Sequence, residues 1–461
     1  MTTLVWHRRD LRTADNPALA RAVARGGPII PVFVLDPEIL QREDTGPIRV
    51  QFLLDSLRVL AQRYQQLGGN LIVRIGDPVQ ILPKLAEETG ATALHFNADV
   101  EPFALQRDTR VRTACETRGI LVQGFQEICL ETPQEILSGQ GKPYSVFGPF
   151  WRNWVNRPKQ TPYPTPERIE TPVCSSQPIP TLEDLRLSID QPPVRAGEEE
   201  ALARLDEFCA PHLIFNYSQQ RNLPAIDGTS RLSPHLRMGT LGIRTVWQRT
   251  IEMEEDAYSE ERTESLTAWR QELCWRDFYK YTLWHFPQVE TAPYQRKFTH
   301  FAFNDNPEHF ERWCQGETGY PLVDAAMTQL NQTGWMHNRC RMVVASFLTK
   351  DLLIDWRKGE RYFMQKLVCG DLSANNGGWQ WSASMGTDPK PLRIFNPQTQ
   401  LARFDPEGTY VRHWLPALTA ASLEELMLGK NLHRYGYPQP IVDHKRQQEI
   451  FKQRYSTHRS I

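Results

Sequence analysis

Short apolar runs alternate with longer amphipathic stretches through the first third of the chain. Residues 3–6, 29–35, 71–75, 93–97 and 121–125 are rich in Leu, Ile, Val, Phe and Trp. Several end at turn residues such as Asp36-Pro37, Gly76-Asp77-Pro78 and Asp99. They read as strands. Between them, 16–25, 47–67, 78–89 and 104–118 carry helical spacing. Strands alternating with helices predict a parallel, Rossmann-like sheet covered on both faces, with ligands beyond the carboxyl ends of the strands. No GxGxxG follows the first strand, which argues against a dinucleotide there. From 131 to 200 the periodicity fades under nine prolines between Pro158 and Pro193, as in a surface connector. Glu198-Glu199-Glu200 then opens a helix through Phe208. Helical spacing dominates afterwards, at 240–257, 262–284, 321–331, 337–353 and 359–368. Leu322, Ala325, Ala326 and Leu330, for example, share one face. The pattern predicts an α/β domain over 1–130, a connector over 131–200 and a large all-helical domain over 201–461.

Composition narrows the class. The 461 residues are 40% hydrophobic and 23% charged, an ordinary globular mixture, with no apolar run long enough to span a membrane; no secretory leader is expected. A cytoplasmic, nucleoid-accessible protein is expected. The eight cysteines are scattered without a CxxC pair, so neither zinc nor a disulfide framework is expected, and no other metal site is read. The net charge of −1 argues against indiscriminate coating of nucleic acid. It divides weakly, −3 over 1–200 and +2 over 201–461. Ten of the thirteen tryptophans follow residue 200. They suggest a very aromatic core, a stacking site for bases or a flat cofactor, or a path for electrons.

Four segments carry candidate chemistry. Asp371 to Trp381 (DLSANNGGWQW) packs two asparagines, two glycines and two tryptophans together. It reads either as a turn between two helices or as a polar pocket floor beside aromatic walls. Thr333 to Met342 (TGWMHNRCRM) offers Arg339 and Arg341 for phosphate or a flat heterocycle, with His337 equally readable as a helix start. Glu272, Trp275, Arg276 and Tyr279 fall on one helical face; a carboxylate, a stacking ring and a guanidinium there suit a base, the bland reading being a solvated ion pair. Asp227 to Pro234 (DGTSRLSP) reads as a loop entering a helix, suited to phosphate or to simple capping.

Together these segments resemble the photolyase–cryptochrome family. The likeness runs from Trp6-His7-Arg8-Arg9-Asp10-Leu11-Arg12 to Trp414-Leu415-Pro416. It is closest to class I cyclobutane pyrimidine dimer photolyases of the cyanobacterial deazaflavin type. The resemblance implies light-driven dimer repair by an FAD-containing lyase, monomeric and without an obligatory protein partner, acting on ultraviolet-damaged DNA. Tyr217, Thr229, Ser230, Leu232 and Ser233 would hold FAD, with Asn338, Arg341, Asp371 and Asn375 around it. Glu272, Trp275, Asn338, Arg339, Met342 and Trp381 would receive the flipped dimer, and Arg221, Arg276 and Gln400 would bind DNA. Glu272, Met342, Asn375, Trp356 and Trp379 would serve the chemistry. Asp99, Glu101, Arg107 and Arg237 match an antenna site for 8-hydroxy-5-deazaflavin, with methenyltetrahydrofolate as the alternative. His337-Asn338 stands where members acting on (6-4) photoproducts carry a histidine pair, which favours cyclobutane dimers.

Two positions depart from the family pattern. Cys369-Gly370-Asp371 stands where relatives read Asp-Gly-Asp, so Arg341 loses a carboxylate partner and the flavin redox balance is expected to shift. Relatives reduce flavin through three tryptophans; Trp379 and Trp356 match two, but the third position is Phe303, with Trp313 or Tyr294 as substitutes. Slow photoreduction is therefore expected. The rival reading is a cryptochrome-type blue-light sensor on the same fold. A flavin electron carrier without DNA is a third, and it leaves the Glu272–Trp275–Arg276 face and Arg339 without a purpose.

Overall fold

The computed structural model describes residues 1–387 and 392–459. The chain divides into two compact units. The first comprises 1–189, 193–218 and 230–287; the second comprises 190–192, 219–229 and 288–461. The sequence pattern sorted residues by element type, whereas these units are sorted by contact.

The first unit is built on five parallel strands in the order β3-β2-β1-β4-β5. These are β1 (Thr2–His7), β2 (Ile29–Leu35), β3 (Ile72–Ile75), β4 (Ala91–Ala98) and β5 (Leu121–Gln126). All seven residues of β2 are buried, as a strand covered on both faces requires. Pro31 is tolerated in it because β3 pairs only from Val32 onward, so Pro31 meets Val5 on one side alone. Pro17, Pro47, Pro78 and Pro102 each open a helix, where the missing N–H costs nothing. The strand order reverses between β1 and β4, and Arg8, Arg9, Asp99 and Glu101 follow the ends of those two strands. That is where a ligand belongs in such a sheet.

The connector is more ordered than its prolines suggest. It contains the helix Phe147–Val155, with Phe150 and Trp154 buried in the core of this unit. Bulky aromatics and an internal proline hide that helix from a propensity argument, and packing makes it. Further on, the connector runs beside β3. Gln177 donates its N–H to Val73 O at 3.0 Å, while Ser176 Oγ and Gln177 Oε1 accept the N–H groups of Val73 and Ile75. The free edge of the sheet is thereby covered. The unit closes with the helix Glu260–His285, capped by Ser259.

The second unit is helical. Asn306 caps the helix Pro307–Gln315 with its side chain, and His337, Asp355, Asp371 and Asn396 cap four α-helices further along. Two local readings are corrected here. The stretch 337–353 is a helix, Asn338–Ser346, followed by one π turn, Phe347–Asp351. The segment beginning at Asp371 is the helix Leu372–Ser382, so the turn reading fails: Asp371 caps it and both glycines lie inside it. No described helix is long and apolar enough to cross a membrane.

Candidate functional site

In the first unit, the Glu260–His285 helix sorts its residues by burial. Leu273, Cys274, Asp277 and Phe278 are buried, whereas Glu272, Trp275, Arg276 and Tyr279 are half-buried. The predicted face therefore exists and meets solvent along one edge. Asp277 anchors it from behind. Its Oδ2 accepts the N–H of Leu130 at 2.9 Å, that of Glu131 at 3.3 Å and Trp154 Nε1–H at 3.0 Å. Burial pushes its carboxyl above the usual range, with Arg276 and these donors pulling the other way. Trp275 lies flat on Phe147, ring centres 3.7 Å apart at 3°, so one of its faces is taken. Phe147 was not legible in the sequence, because it lies in the helix Phe147–Val155 that the pattern does not predict. Arg276 is drawn inward, donating from Nη1 to Ile128 O at 2.6 Å.

Tyr217 is nearly buried, edge-on to Phe208. The loop before the helix Ser233–Met238 is held by Arg204, which donates to Ser230 O at 3.0 Å. Arg231 adopts φ +50°, a left-handed conformation uncommon for any residue but glycine, and Leu232 occupies the cap position without offering a side-chain acceptor. The first-turn N–H groups of that helix thus have no side-chain cap, and Ser230 and Ser233 supply hydroxyls beside them. This donor set suits a phosphate.

Still in the first unit, the ends of β1 and β4 carry a charged cluster. Arg9 Nη1 reaches Asp99 at 3.2 Å and Glu101 at 2.5 Å, and Arg237 stands 3.7 Å from Glu101. Burial pushes the Asp99 carboxyl up, but Arg9, Lys280, Arg8 and Arg237 outweigh it and hold the group well below the usual range. Arg107 stands beside this knot, within reach of the Asp99 charge, with its own carboxylate partner. It pairs with Asp108 at 3.1 Å and sits with Arg8 over the Trp6 ring, 4.8 and 4.7 Å from its centre. Three of the four expected antenna residues therefore converge on Arg9. Trp6, Arg8 and Arg9 were legible in the sequence only as part of the family likeness, without a role.

The second unit holds the other predicted residues. His337 caps the Asn338–Ser346 helix, accepting the Arg339 N–H on Nδ1 at 3.1 Å, which settles it as a helix start. Arg339 donates to Asn222 Oδ1 at 2.7 Å and lies 4.4 Å over Phe404. Arg341 donates to Met336 O at 2.8 Å and points its Nη2 at Cys369 Sγ, 3.3 Å away. Asp371 caps the Leu372–Ser382 helix through Ala374 N–H, and Asn375 donates its Nδ2–H to Glu360 O at 2.9 Å. Trp379 is buried edge-on to Phe363 and to Trp313, and Trp356 is fully buried. Trp381 stands 6.3 Å from Phe395, with Arg393 nearby. Asn338 is exposed; Arg221, Thr229 and Met342 are half-buried. Gln400 is buried, and its Oε1 has no hydrogen-bond partner among the described residues.

Known proteins match this chain almost end to end. Residues 3–167 fit the family model described as DNA photolyase, and 269–457 fit the FAD binding domain of DNA photolyase. A deoxyribodipyrimidine photo-lyase of a Synechococcus strain is 48% identical over 98% of this chain and 96% of its own. The chain belongs to the DNA photolyase family. Other photolyase relatives include the deoxyribodipyrimidine photo-lyase of Escherichia coli, 38% identical over 96% of both chains. Among solved structures, a class III photolyase from Agrobacterium tumefaciens superposes with a TM-score of 0.91 at 34% identity, covering 100% of this chain and 98% of its own. A Synechocystis cryptochrome gives the same TM-score at 30% identity, covering 98% of each. The photolyase fold is thus shared across both functional branches.

Proposed function

We infer that the protein is a light-driven lyase that splits cyclobutane pyrimidine dimers in DNA. The observation that carries this reading is the 48% identity to a deoxyribodipyrimidine photo-lyase over nearly the full length of both chains. The match to an FAD binding domain supports FAD as the cofactor. When bound and reduced, it supplies the photoexcited electron that opens the cyclobutane ring.

The chain's own residues then have defined tasks. Ser230, Ser233 and the uncapped N–H groups beside them take phosphate, and Tyr217, Thr229, Leu232 and Asn338 are the other residues we assign to the cofactor. Arg341 places positive charge where a reduced, anionic flavin needs it. Asn375, its amide N–H engaged by Glu360 O, offers an acceptor. Asp371 orients the helix that carries Asn375. A dimer stacks poorly, so turning it out of the duplex costs less than flipping a sound base. Glu272 would hydrogen-bond its pyrimidine edge, and we assign Trp275, Trp381, Met342 and Asn338 to its other contacts. Arg221, Arg276, Arg339 and Gln400 serve the surrounding DNA. Trp379 and Trp356 supply electrons to the cofactor.

A second chromophore belongs to the Asp99–Glu101–Arg237 cluster. We assign it as 8-hydroxy-5-deazaflavin, with methenyltetrahydrofolate next. A Sulfolobus tokodaii photolyase crystallised with two FAD molecules, 31% identical and of TM-score 0.87, covering 99% of this chain and 100% of its own, makes FAD a third candidate. We further assign 1–130 to the antenna, 131–200 to connection and 201–461 to catalysis, in a cytoplasmic monomer that needs no protein partner.

The test is repair of a thymine-dimer oligonucleotide by chemically reduced protein under blue light, with a dark control. Light-dependent loss of dimers is expected. No loss with bound, reduced flavin moves the protein to the blue-light sensor reading.

A further inference from the structure

The tryptophan expected at the end of the electron path is missing. Phe303 packs against Phe301, 4.8 Å between ring centres, and a phenyl ring is not readily oxidised. Trp356 is fully buried and forms no aromatic ring pair among the described residues; its one ring contact is the Arg357 guanidinium. A hole arriving at Trp356 therefore meets no paired, oxidisable ring among the described residues through which to leave.

Trp379 has a second oxidisable neighbour. Trp313 lies 6.0 Å away, rings crossed at 71°. Trp313 is fully buried and fixed by its indole N–H, which donates to Val344 O at 3.1 Å. Tyr362 follows 5.8 Å beyond it, also crossed, and is half-buried, so this third ring reaches solvent. Its hydroxyl donates to Asn331 Oδ1 at 2.6 Å, with Cys314 O at 3.1 Å. All three rings lie within the second unit.

We propose that Trp379, Trp313 and Tyr362 form an electron relay that replaces the exit lost at Phe303. The proposal rests on the reading of the protein as a flavin-dependent photolyase. Trp379 gives one electron to the bound cofactor. Trp313 refills Trp379, and Tyr362 refills Trp313. Tyr362 must lose its phenolic proton in the same event. Burial raises its hydroxyl pKa, so the ring starts as the neutral phenol, and the Lys366 ammonium 5.7 Å from the ring disfavours a cation radical. Asn331 Oδ1 and Cys314 O are acceptors but not bases, so the proton passes to water. A dissolved thiol, or another one-electron donor, then supplies an electron, with a proton from water, and restores the phenol. The net result is one electron moved from that donor to the cofactor.

Flash photolysis of the FAD-loaded protein, read by transient absorption and electron paramagnetic resonance, tests the relay. In the parent, a tryptophanyl radical signal gives way to a tyrosyl signal, and the conversion slows in D2O. Tyr362→Phe keeps the ring but loses the tyrosyl signal and leaves the tryptophanyl radical long-lived. Net photoreduction slows in that variant, and adding Phe303→Trp restores it. Because Trp313 is a core residue, Trp313→Phe is read only alongside its thermal unfolding. A second measurement bypasses the cofactor: one-electron oxidation by azide radicals generated in a radiolysis pulse yields a Tyr362 radical in the parent and not in Tyr362→Phe. A tyrosyl signal that persists in Tyr362→Phe, or a tryptophanyl decay that this substitution leaves unchanged, overturns the relay. Dimer loss with chemically reduced parent protein is scored separately. A protein that repairs dimers but fails the radical tests sinks the relay alone, and the reverse outcome sinks the repair reading alone.

Discussion

Arg341 faces a thiol where its relatives are expected to offer a carboxylate, and the 3.3 Å Nη2–Sγ contact makes the exchange a direct one. Cys369 is buried, so water does not replace the lost charge. The guanidinium charge is then less compensated, which favours the anionic reduced cofactor. Cys369→Asp is expected to lower the flavin midpoint potential in a spectroelectrochemical titration, and an unchanged potential contradicts this. His235 gives a second consequence at this scale. It is buried against Phe52 with Nδ1 on Thr240 Oγ1 at 2.8 Å; burial, helped by Arg204, lowers its pKa to about 4. An unfolded histidine titrates near 6.5, so the unfolded chain binds more protons between these values. The stabilisation is therefore full above about pH 6.5 and is lost as pH falls to about 4, up to about 3 kcal/mol. Urea midpoints measured across that window fall in the parent, and His235→Gln flattens the slope. Residue identities were legible where chemistry is intrinsic, as with Glu272 and Trp275. Partners such as Phe147, Asn222 and Glu360 were not, because they arrive from elements distant along the chain.

At the scale of elements, the Glu260–His285 helix follows its periodicity closely, since its i, i+3, i+4 and i+7 residues share one half-buried stripe. Trp275→Ala is expected to weaken binding to dimer-containing DNA by about 1–3 kcal/mol, the usual worth of one stacked base. Fluorescence anisotropy in the dark measures it, and binding to undamaged duplex is the control that stays level. The Leu372–Ser382 helix was obscured by its own composition, because Asn and Gly favour turns in isolation. What makes it a helix is tertiary: Asp371 caps it, Asn376 bonds Val289 O and Glu360 Oε1, and Trp379 packs against the Trp356–Lys366 helix. Gly359 permits that packing, since a Cβ there would lie 2.2 Å from the Trp379 ring. Gly359→Ala is expected to destabilise by about 1–3 kcal/mol and to alter the near-ultraviolet dichroism of the displaced indole. Unchanged unfolding and an unchanged spectrum would contradict it.

At the scale of the whole molecule, the parallel sheet and the mainly helical remainder were legible because period 2 and period 3.6 are local properties of the sequence. The division into contact-defined units was not, because it depends on where the 198–285 segment packs. With a net charge of −1, we expect few and local phosphate contacts. The logarithm of affinity for damaged DNA is therefore expected to fall linearly with the logarithm of salt, at a shallow slope. A steep slope, as for a broadly basic protein, would contradict it. The connector beside β3 bears on the fate of the molecule outside the test tube. It closes the one strand edge that this side of the sheet presents, and it does so chiefly through Ser176, Gln177 and a single main-chain bond. A proteolytic nick there would leave the tryptophans and the charged clusters in place, yet expose an unpaired strand to other copies of itself. Damage at this seam should therefore appear first as clumping of still-active protein, with loss of activity following as the soluble pool is depleted.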